Sequence, residues 1–303
     1  MAKVIIYHQH GDPAVLTLTD REIPSPGAGQ VRIRVRAAAV NPIDIKLRRG
    51  DFADIFSLPM PSVPGLDAAG IVDAVGDGVC GLAVGDGVFG TAVTGSYAQS
   101  ALMTGAVPIP DGLTWDEASI LPTIGETAYR VLEHMKLEQG ATLMVHGASG
   151  GVGSLVTQLA VQRGISVVGS CADADAEWVR SLGATPVRYG AGVVERVRSA
   201  VPQRVDAVLD TWGQGLLPVS IELAGSPDRV MTIADLEAGT YGVRTTGLDP
   251  SDRTPEALPI LAAMVAEKRL LLPDIHAYSL AAASDAHQDI EARRLKGRAV
   301  LIP

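Results

Sequence analysis

The sequence predicts an α/β protein in which a mostly-β segment is joined to a doubly wound parallel sheet. Three observations lead there. The 303 residues change texture near residue 115. Before it come short Val-, Ile- and Ala-rich runs cut by Pro and Gly, the pattern of strands and turns. From 118 to 250, strand-like and helix-like runs alternate, which implies parallel strands covered by helices on both faces. Third, the glycine-rich stretch HGASGGVG, residues 146–153, follows the apolar run ATLMV and precedes Leu155, Val156, Leu159 and Ala160, which share one helix face.

The elements follow in order. KVIIYHQ, QVRIRVRAAAV, AAGIVDAV and SYAQSALM read as the strands of the first part. In the middle, strands TLMVHG, SVVGS, PVRY, VDAVLD, RVMTIA and VRTTGL alternate with helices at 151–163, 174–182, 192–200, 214–224 and a shorter one near 234–238. From Pro255 the chain reads as a helix (EALPILAAMVAEKR), a strand near His276–Ser279, a helix (AAASDAHQDIEARRL) and a last strand, RAVLIP. The expected organisation is a discontinuous catalytic domain, residues 1–117 and 251–303, interrupted by a dinucleotide-type domain at 118–250.

Composition narrows the function. A net charge of −9 without a Lys/Arg cluster argues against a nucleic-acid surface. The two cysteines, Cys80 and Cys171, have neither metal nor disulfide spacing and suit a reducing cytoplasm. No apolar run has the length of a signal peptide core or a membrane span, so no membrane partner is expected.

The glycine stretch carries the chemistry. A helix start offers unpaired N–H groups and partial positive charge to a phosphate. Gly150 and Gly151 let the backbone approach a pyrophosphate, and Gly153 lets the helix pack close to the strand, as in a Rossmann turn. Ser149, Gly150, Gly151 and Val152 are therefore cofactor-binding candidates. Ala148 stands where the first glycine of G-x-G-x-x-G belongs. Asp173 lies twenty residues past Gly153, with Asp175 close by, at the spacing of an acid that binds the ribose of NADH. The loop SCADADAEW contains no Lys or Arg. Read on residues alone, it favours NADH.

Four ordered segments and the tail carry a family resemblance: VNPIDIKLRRG (40–50), VPGLDAAGIVDAVGDGVCGLAVGDGVFG (63–90), ASILPTIGETAYRVL (118–132), HGASGGVG, and KGRAVLIP at the end. Together they resemble the zinc-independent medium-chain dehydrogenase/reductases of the quinone oxidoreductase type. The resemblance implies a GroES-like mostly-β catalytic domain, a Rossmann domain, NADPH, and reduction of quinones or enones. It places Thr127 beside the nicotinamide amide or phosphate and Tyr189 on the adenosine side. Ser170 and Tyr189 become donors toward a 2′-phosphate, Arg180 and Arg188 lie close in sequence, and Ile233 completes the cofactor set. NADPH is thus the expected cofactor, with NADH kept open. Gly87, Lys46 and the loop SCADADAEW depart from the family pattern.

Zinc-dependent relatives need a Cys and a His where this chain has Asn41 and Leu66, and the four-cysteine lobe is missing. No metal is expected, which favours reduction of a conjugated C=C bond or quinone over alcohol oxidation. Asn41 is the candidate donor to the developing oxyanion; its bland reading is an Asn before Pro in a turn. Lys46 is the candidate proton donor, with water as the alternative; its bland reading is a solvated lysine. Asp44 and Arg48, four apart, read as a local ion pair. His287 reads as a helix-surface histidine, and Cys171 as a small packed residue. Two other functions stay open: a zinc-free alcohol or aldehyde oxidoreductase, and a non-catalytic NAD(P)H-binding protein. The β-prone run YGVRTTGL (241–248) is expected at a sheet edge, where a second copy would form a homodimer.

Overall fold

The computed structural model describes residues 1–55, 58–201, 204–247 and 249–303. The chain divides into two compact units, each described by itself. One comprises Met1–Thr123, Leu258–Arg269 and Asp274–Pro303; the other comprises Ile124–Ala257 and Leu270–Pro273.

The first unit is β-rich. Its strands are β1 (Ala2–Ile6), β2 (Thr17–Arg21), β3 (Gln30–Val40), β4 (Asp67–Val75), β5 (Gly87–Thr91), β6 (Ser100–Thr104) and β7 (Val107–Pro108). Strands β2, β5 and β7 were not evident from the run pattern. In β3, Val31, Ile33 and Val35 are buried while Arg34 and Arg36 face solvent, the period-two pattern that the sequence shows. From Ala37 to Val40 every residue is buried, because small alanines let both faces be covered. Helix α1 (Pro42–Arg49) starts at Asn41, whose N–H donates to the Asp44 carboxylate at 2.8 Å, and stops at Gly50 with φ 88°. Helix α2 (Trp115–Met135) then runs across the division between the units.

The second unit alternates strand and helix: β8 (Thr142–His146), α3 (Gly151–Gln162), β9 (Ser166–Cys171), α4 (Ala176–Ser181), β10 (Thr185–Arg188), α5 (Val193–Ala200), β11 (Ala207–Asp210), α6 (Leu217–Ala224), β12 (Val230–Thr232) and β13 (Arg244–Thr245). The sheet order is β10-β9-β8-β11-β12-β13 and every pair is parallel. The chain leaves β8 toward β9 on one side and returns to β11 on the other, so the switch point lies beside β8. Met144, Val168, Val208 and Val230 join Leu217 and Val197 in its core.

The chain then returns through α7 (Ala257–Ala266), β14 (Ile275–Ser279), α8 (Ala283–Glu291) and β15 (Arg298–Ile302). In the first unit a seven-stranded sheet has the path β14-β15-β3-β4-β5-β7, with β6 also on β3. Its core gathers Ile5, Val31, Ile33, Val72, Met103 and Leu301.

Three sequence expectations are corrected. No helix forms at 234–238. There the Thr232 hydroxyl accepts from the N–H groups of Ala234 and Asp235, each at 3.1 Å, and the Asp235 carboxylate accepts from Glu237 N at 2.9 Å. Such side-chain bonds hold turns in place of a helix ladder. The helix at 174–182 begins late, at Ala176, after a tight turn at Asp173–Asp175. The edge strand within 241–248 is two exposed residues, Arg244 and Thr245, so the expected apolar edge is polar; Leu248 lies outside the described residues.

Candidate functional site

Close backbone approaches shape the turn after β8. Gly147 takes φ 79°, and Gly150 stands at the start of α3 in extended conformation. A Cβ on Gly153 would lie 2.2 Å from the Gly147 carbonyl oxygen, so only glycine fits between helix and turn. A Cβ on Gly150 would meet only that oxygen, at 3.3 Å, so the side facing out is open. The departure at Ala148 has a structural answer: its methyl is fully buried and occupies the space above Gly169 of β9, where a Cβ would come within 2.5 Å of it. The N–H groups at the start of α3 lack partners within the helix, the first helical bond here running from Ser154 N to Gly150 O at 2.9 Å. This cradle of amides fits a pyrophosphate. Ser149, Gly151 and Val152 are half-buried around it.

Neighbouring groups hold the turn. The Thr211 hydroxyl donates to His146 O at 2.7 Å, and Gly147 N donates to Ser170 Oγ at 3.4 Å. Ser170 also meets His146 Nδ1 at 3.2 Å and is almost fully buried. Ser170 therefore braces the turn from within the sheet. Burial pushes His146 down to about 4, partly opposed by Asp210, so the ring is neutral at physiological pH. At the end of β11 the Asp210 carboxylate accepts from Trp212 N at 3.0 Å and Gly213 N at 2.9 Å, and Thr232 donates to its other oxygen at 2.9 Å. Ile233 follows β12, half-buried, its N–H on Asp210 O at 3.0 Å.

The loop after β9 pairs its charges internally. Arg188 lies 3.4 Å from Asp173, Arg180 pairs with Glu177, and Arg196 donates to the carbonyls of Arg188, Tyr189, Gly190 and Ala191. Cys171 is buried, as its small-residue reading expected, and burial pushes its thiol up to about 11. Thr127 sits in a buried polar knot on α2. Its hydroxyl accepts from Arg130 at 3.1 Å, while Arg130 also bonds Glu126 at 2.8 Å and Thr246 at 3.1 Å. Glu126 in turn accepts from Thr254 N at 3.0 Å and pairs with Arg253 at 3.2 Å.

In the first unit, Asn41 and its neighbours form a buried charged network. The Asn41 amide donates to Asp67 at 2.9 Å, and its carbonyl accepts from the Arg298 guanidinium. Asp67 also accepts from Thr123 N and Oγ1, both at 2.9 Å. Tyr97 OH donates to Asp44 at 3.4 Å and meets His287 Nε2 at 2.9 Å. Asn41, Asp67, Tyr97 and His287 have no exposed surface. Asn41 is thus a member of this network, with its amide on Asp67 and its carbonyl on Arg298. His287 is a buried partner of Tyr97, not a surface residue. Arg48 turns away from Asp44 to Glu291, 2.6 Å away, which replaces the expected local ion pair.

Burial pushes the Asp44 carboxyl up to about 8, against the bond from Asn41 N. Burial also raises Asp67, to about 6, against its bonds from Thr123 and Asn41. Burial thus favours the protonated form more strongly at Asp44 than at Asp67, which holds more bonds from Thr123 and Asn41. Burial pushes His287 down to about 3, and it stays uncharged.

These residues do not fit zinc. The only oxygen that Asn41 could offer already receives a guanidinium, and a second cation beside it would be repelled. Leu66 has no ligand atom. Lys46, half-exposed on α1, has its ammonium 5.9 Å from the centre of the Phe52 ring.

A β-rich unit and a parallel sheet with a glycine turn at its switch point define an oxidoreductase of the dehydrogenase/reductase class. The family patterns agree. An alcohol dehydrogenase GroES-like domain matches residues 27–122, and a pattern described as zinc-binding dehydrogenase matches residues 182–301. Rat quinone oxidoreductase is 31% identical over 96% of this chain and 94% of its own. Tomato 2-methylene-furan-3-one reductase is 34% identical over 79% of this chain and 64% of its own. A solved mycobacterial protein complexed with NADPH superposes with TM-score 0.86 at 28% identity, covering 100% of both chains. The chain belongs to the medium-chain dehydrogenase/reductase family, of the quinone oxidoreductase type.

The sequence reading missed Arg298, Asp67, Tyr97 and Trp212. Trp212 alone left a signal: a large aromatic directly after a strand end, beside a glycine. No helix among the described residues is long and apolar enough to cross a membrane.

Proposed function

We propose that this chain is a zinc-free, NADPH-dependent reductase that delivers a hydride to a quinone or to the C=C bond of an α,β-unsaturated carbonyl. The observation that carries the reading is the β8–turn–α3 unit, whose open amides and Gly153 packing suit a pyrophosphate. The rat and tomato relatives, named for a quinone and for an enone, support the two substrate classes, and the NADPH-bound mycobacterial neighbour supports the cofactor.

When bound, the cofactor supplies the hydride. The chain's own residues orient and protonate. The amides of Gly151 and Val152, with Ser149 and Gly150, hold the pyrophosphate. Thr127, whose oxygen already accepts from Arg130, is left to use its own proton as a donor. Tyr189 and Ile233 follow strands of the same sheet, where ligands of such sheets bind. Hydride addition to the C=C bond leaves the electron pair on the carbonyl oxygen as an enolate, and Lys46 or water supplies the balancing proton. Arg188 favours NADPH over NADH, because a 2′-phosphate offers it a stronger partner than Asp173. A homodimer joined through the free edge of β13, in a cytoplasmic setting, completes the reading.

The test is direct. Purified protein is mixed with NADPH or NADH and a panel of quinones and enones, and loss of the reduced cofactor's absorbance is followed with and without chelator. Turnover that favours NADPH and survives chelation is expected. Binding without turnover across the whole panel refutes the reductase, and activity lost to chelator and restored by zinc refutes the zinc-free reading. Lys46→Met should lower kcat with little change in cofactor affinity; unchanged kcat assigns the proton to water. Light scattering at micromolar concentration should return twice the chain mass.

A further inference from the structure

Helix α1 carries Lys46, the proton donor of the proposed reaction, on only eight residues. A helix of little more than two turns is marginal by itself, so its rotation about its own axis is set by whatever grips its buried face. The buried side chains of that face are Asp44, Ile45 and Arg48, and two of the three are ionisable. One apolar side chain gives little packing, so directed bonds must do the gripping.

Those bonds come from α8 and from Tyr97. Asp44 and Arg48 are four apart on α1, and His287 and Glu291 are four apart on α8, so each pair shares one helix face. The pairs meet as two rungs. Arg48 Nη2 donates to Glu291 Oε1 at 2.6 Å. Tyr97 OH joins Asp44, at 3.4 Å, to His287 Nε2, at 2.9 Å, and the Tyr97 and His287 rings meet edge to face with centroids 5.6 Å apart. The Arg48 side chain has no exposed surface, and its Nε and Nη1 have no hydrogen-bond partner among the described residues. Its grip therefore rests on Glu291. Helix α8 is fastened in turn, the Ser284 hydroxyl donating to Pro13 O at 2.9 Å.

Lys46 lies two positions from both Asp44 and Arg48, about 200° round the helix, so it points away from the rungs. A side-chain tip about 6 Å from the helix axis moves about 2 Å when the helix turns by about 20°. Misplacing a reacting group by about 1 Å can slow a reaction on the order of a hundredfold. The rungs on one face of α1 thus govern the ammonium on the other.

We infer that Tyr97, His287 and Glu291 are positioning residues for Lys46: through Asp44 and Arg48 they fix the rotation of α1 and hold the ammonium in place for proton delivery. This rests on the reductase reading and on Lys46 as its donor, and adds three residues to it. In the step they serve, an Nζ–H bond breaks, a C–H bond forms at the α carbon of the enolate, and the amine left behind regains a proton from water.

The experiment measures kcat with NADPH and an enone, NADPH affinity by calorimetry, and melting temperature. It compares the parent, Lys46→Met, Tyr97→Phe, Glu291→Gln, and each of the last two combined with Lys46→Met. Tyr97→Phe removes one hydroxyl and keeps the ring; Glu291→Gln keeps the shape and removes the charge. Each should lower kcat about 5-fold to 30-fold while NADPH affinity stays within about twofold, since the glycine turn is untouched. In the Lys46→Met background the same changes should lower kcat by less than about twofold, because no ammonium is left to misplace. If Tyr97→Phe melts more than about 10 °C below the parent, Glu291→Gln, whose side chain is 25% exposed, decides alone. Parental kcat in Tyr97→Phe and Glu291→Gln, with Lys46→Met slow, overturns the positioning role. Equal losses with and without Lys46 overturn it too, since they mark general loosening of the fold. Parental kcat in Lys46→Met refutes Lys46 as donor and the inference with it. A parent that turns over no enone or quinone refutes the reductase reading, a separate result seen before any variant is made.

Discussion

The surroundings of Asn41 in the β-rich unit and the turn after β8 in the parallel-sheet unit are both polar, and they use their polar groups in opposite ways. Around Asn41 most donors and acceptors are used within the chain: Asp67 takes bonds from Asn41 and Thr123, and Arg298 supplies the cation, while Asp44 Oδ1, Arg298 Nε and His287 Nδ1 are buried without a hydrogen-bond partner among the described residues. At the glycine turn the backbone amides of α3 are left over, because glycines bring the backbone to the surface without a side chain to use them. A buried network whose groups are mostly spent on one another offers little to a ligand. A turn with spare donors is suited to binding. The difference separates a residue that the family pattern draws attention to, Asn41, from the turn proposed to hold the cofactor.

The largest expected effect comes from opening the buried network. Arg298→Met leaves Asp67 and Asn41 buried without their cation and should cost about 3–5 kcal/mol of stability, read from urea unfolding. A loss below about 1 kcal/mol would mean that water enters the network. At the turn the contrast should reverse. Gly150→Val meets only Gly147 O, at 3.3 Å, so the turn must give slightly; the melting temperature should fall by no more than a few degrees while NADPH affinity falls at least about tenfold; calorimetry that finds parental affinity would end the pyrophosphate reading.

A smaller effect tests how the turn tolerates Ala148. Gly169→Ala places a methyl against that of Ala148 and should cost about 1–3 kcal/mol by overpacking. Adding Ala148→Gly should recover part of it, so a double-mutant cycle with no coupling would refute the pairing of these two positions. The smallest effect is a slope. Asp44 is raised to about 8 in the folded protein, above its unfolded value of about 3.9, so the folded state holds the extra proton. Stability must then fall as pH rises through that window. Above about pH 7.5 the depressed histidines and Asp67 add little, and at every pH in the window Asp44→Asn should remove a downward slope of up to about 1.4 kcal/mol per pH unit. Parallel stability curves for parent and variant would show that the Asp44 carboxyl is not buried as described.

Much of the molecule was legible one segment at a time. The alternation of β3, the strand–turn–helix at residues 142–162 and the parallel order of the second unit all follow from periodicity and glycine placement. The misreadings share a cause. His287 looks like a surface residue because its helix neighbours are polar, but its partner Tyr97 is 190 positions away. Asp44 and Arg48 have the spacing of an ion pair, yet Arg48 finds Glu291, 243 positions on. Thr232 and Asp235 turned a short helical pattern into bonded turns, a competition that periodicity does not register.

By itself the sequence determined where strands, helices and the phosphate-type turn lie, because side-chain period and glycine's backbone freedom are properties of neighbouring residues. Tertiary structure alone decided which polar groups are occupied and which are spare. Sheet order brought Arg298 to Asn41 across 257 positions, set Gly169 beneath Ala148, and drew Tyr189 and Trp212 together over strands that belong to neither. Such partners are chosen by packing in three dimensions, and separation along the chain carries no trace of them.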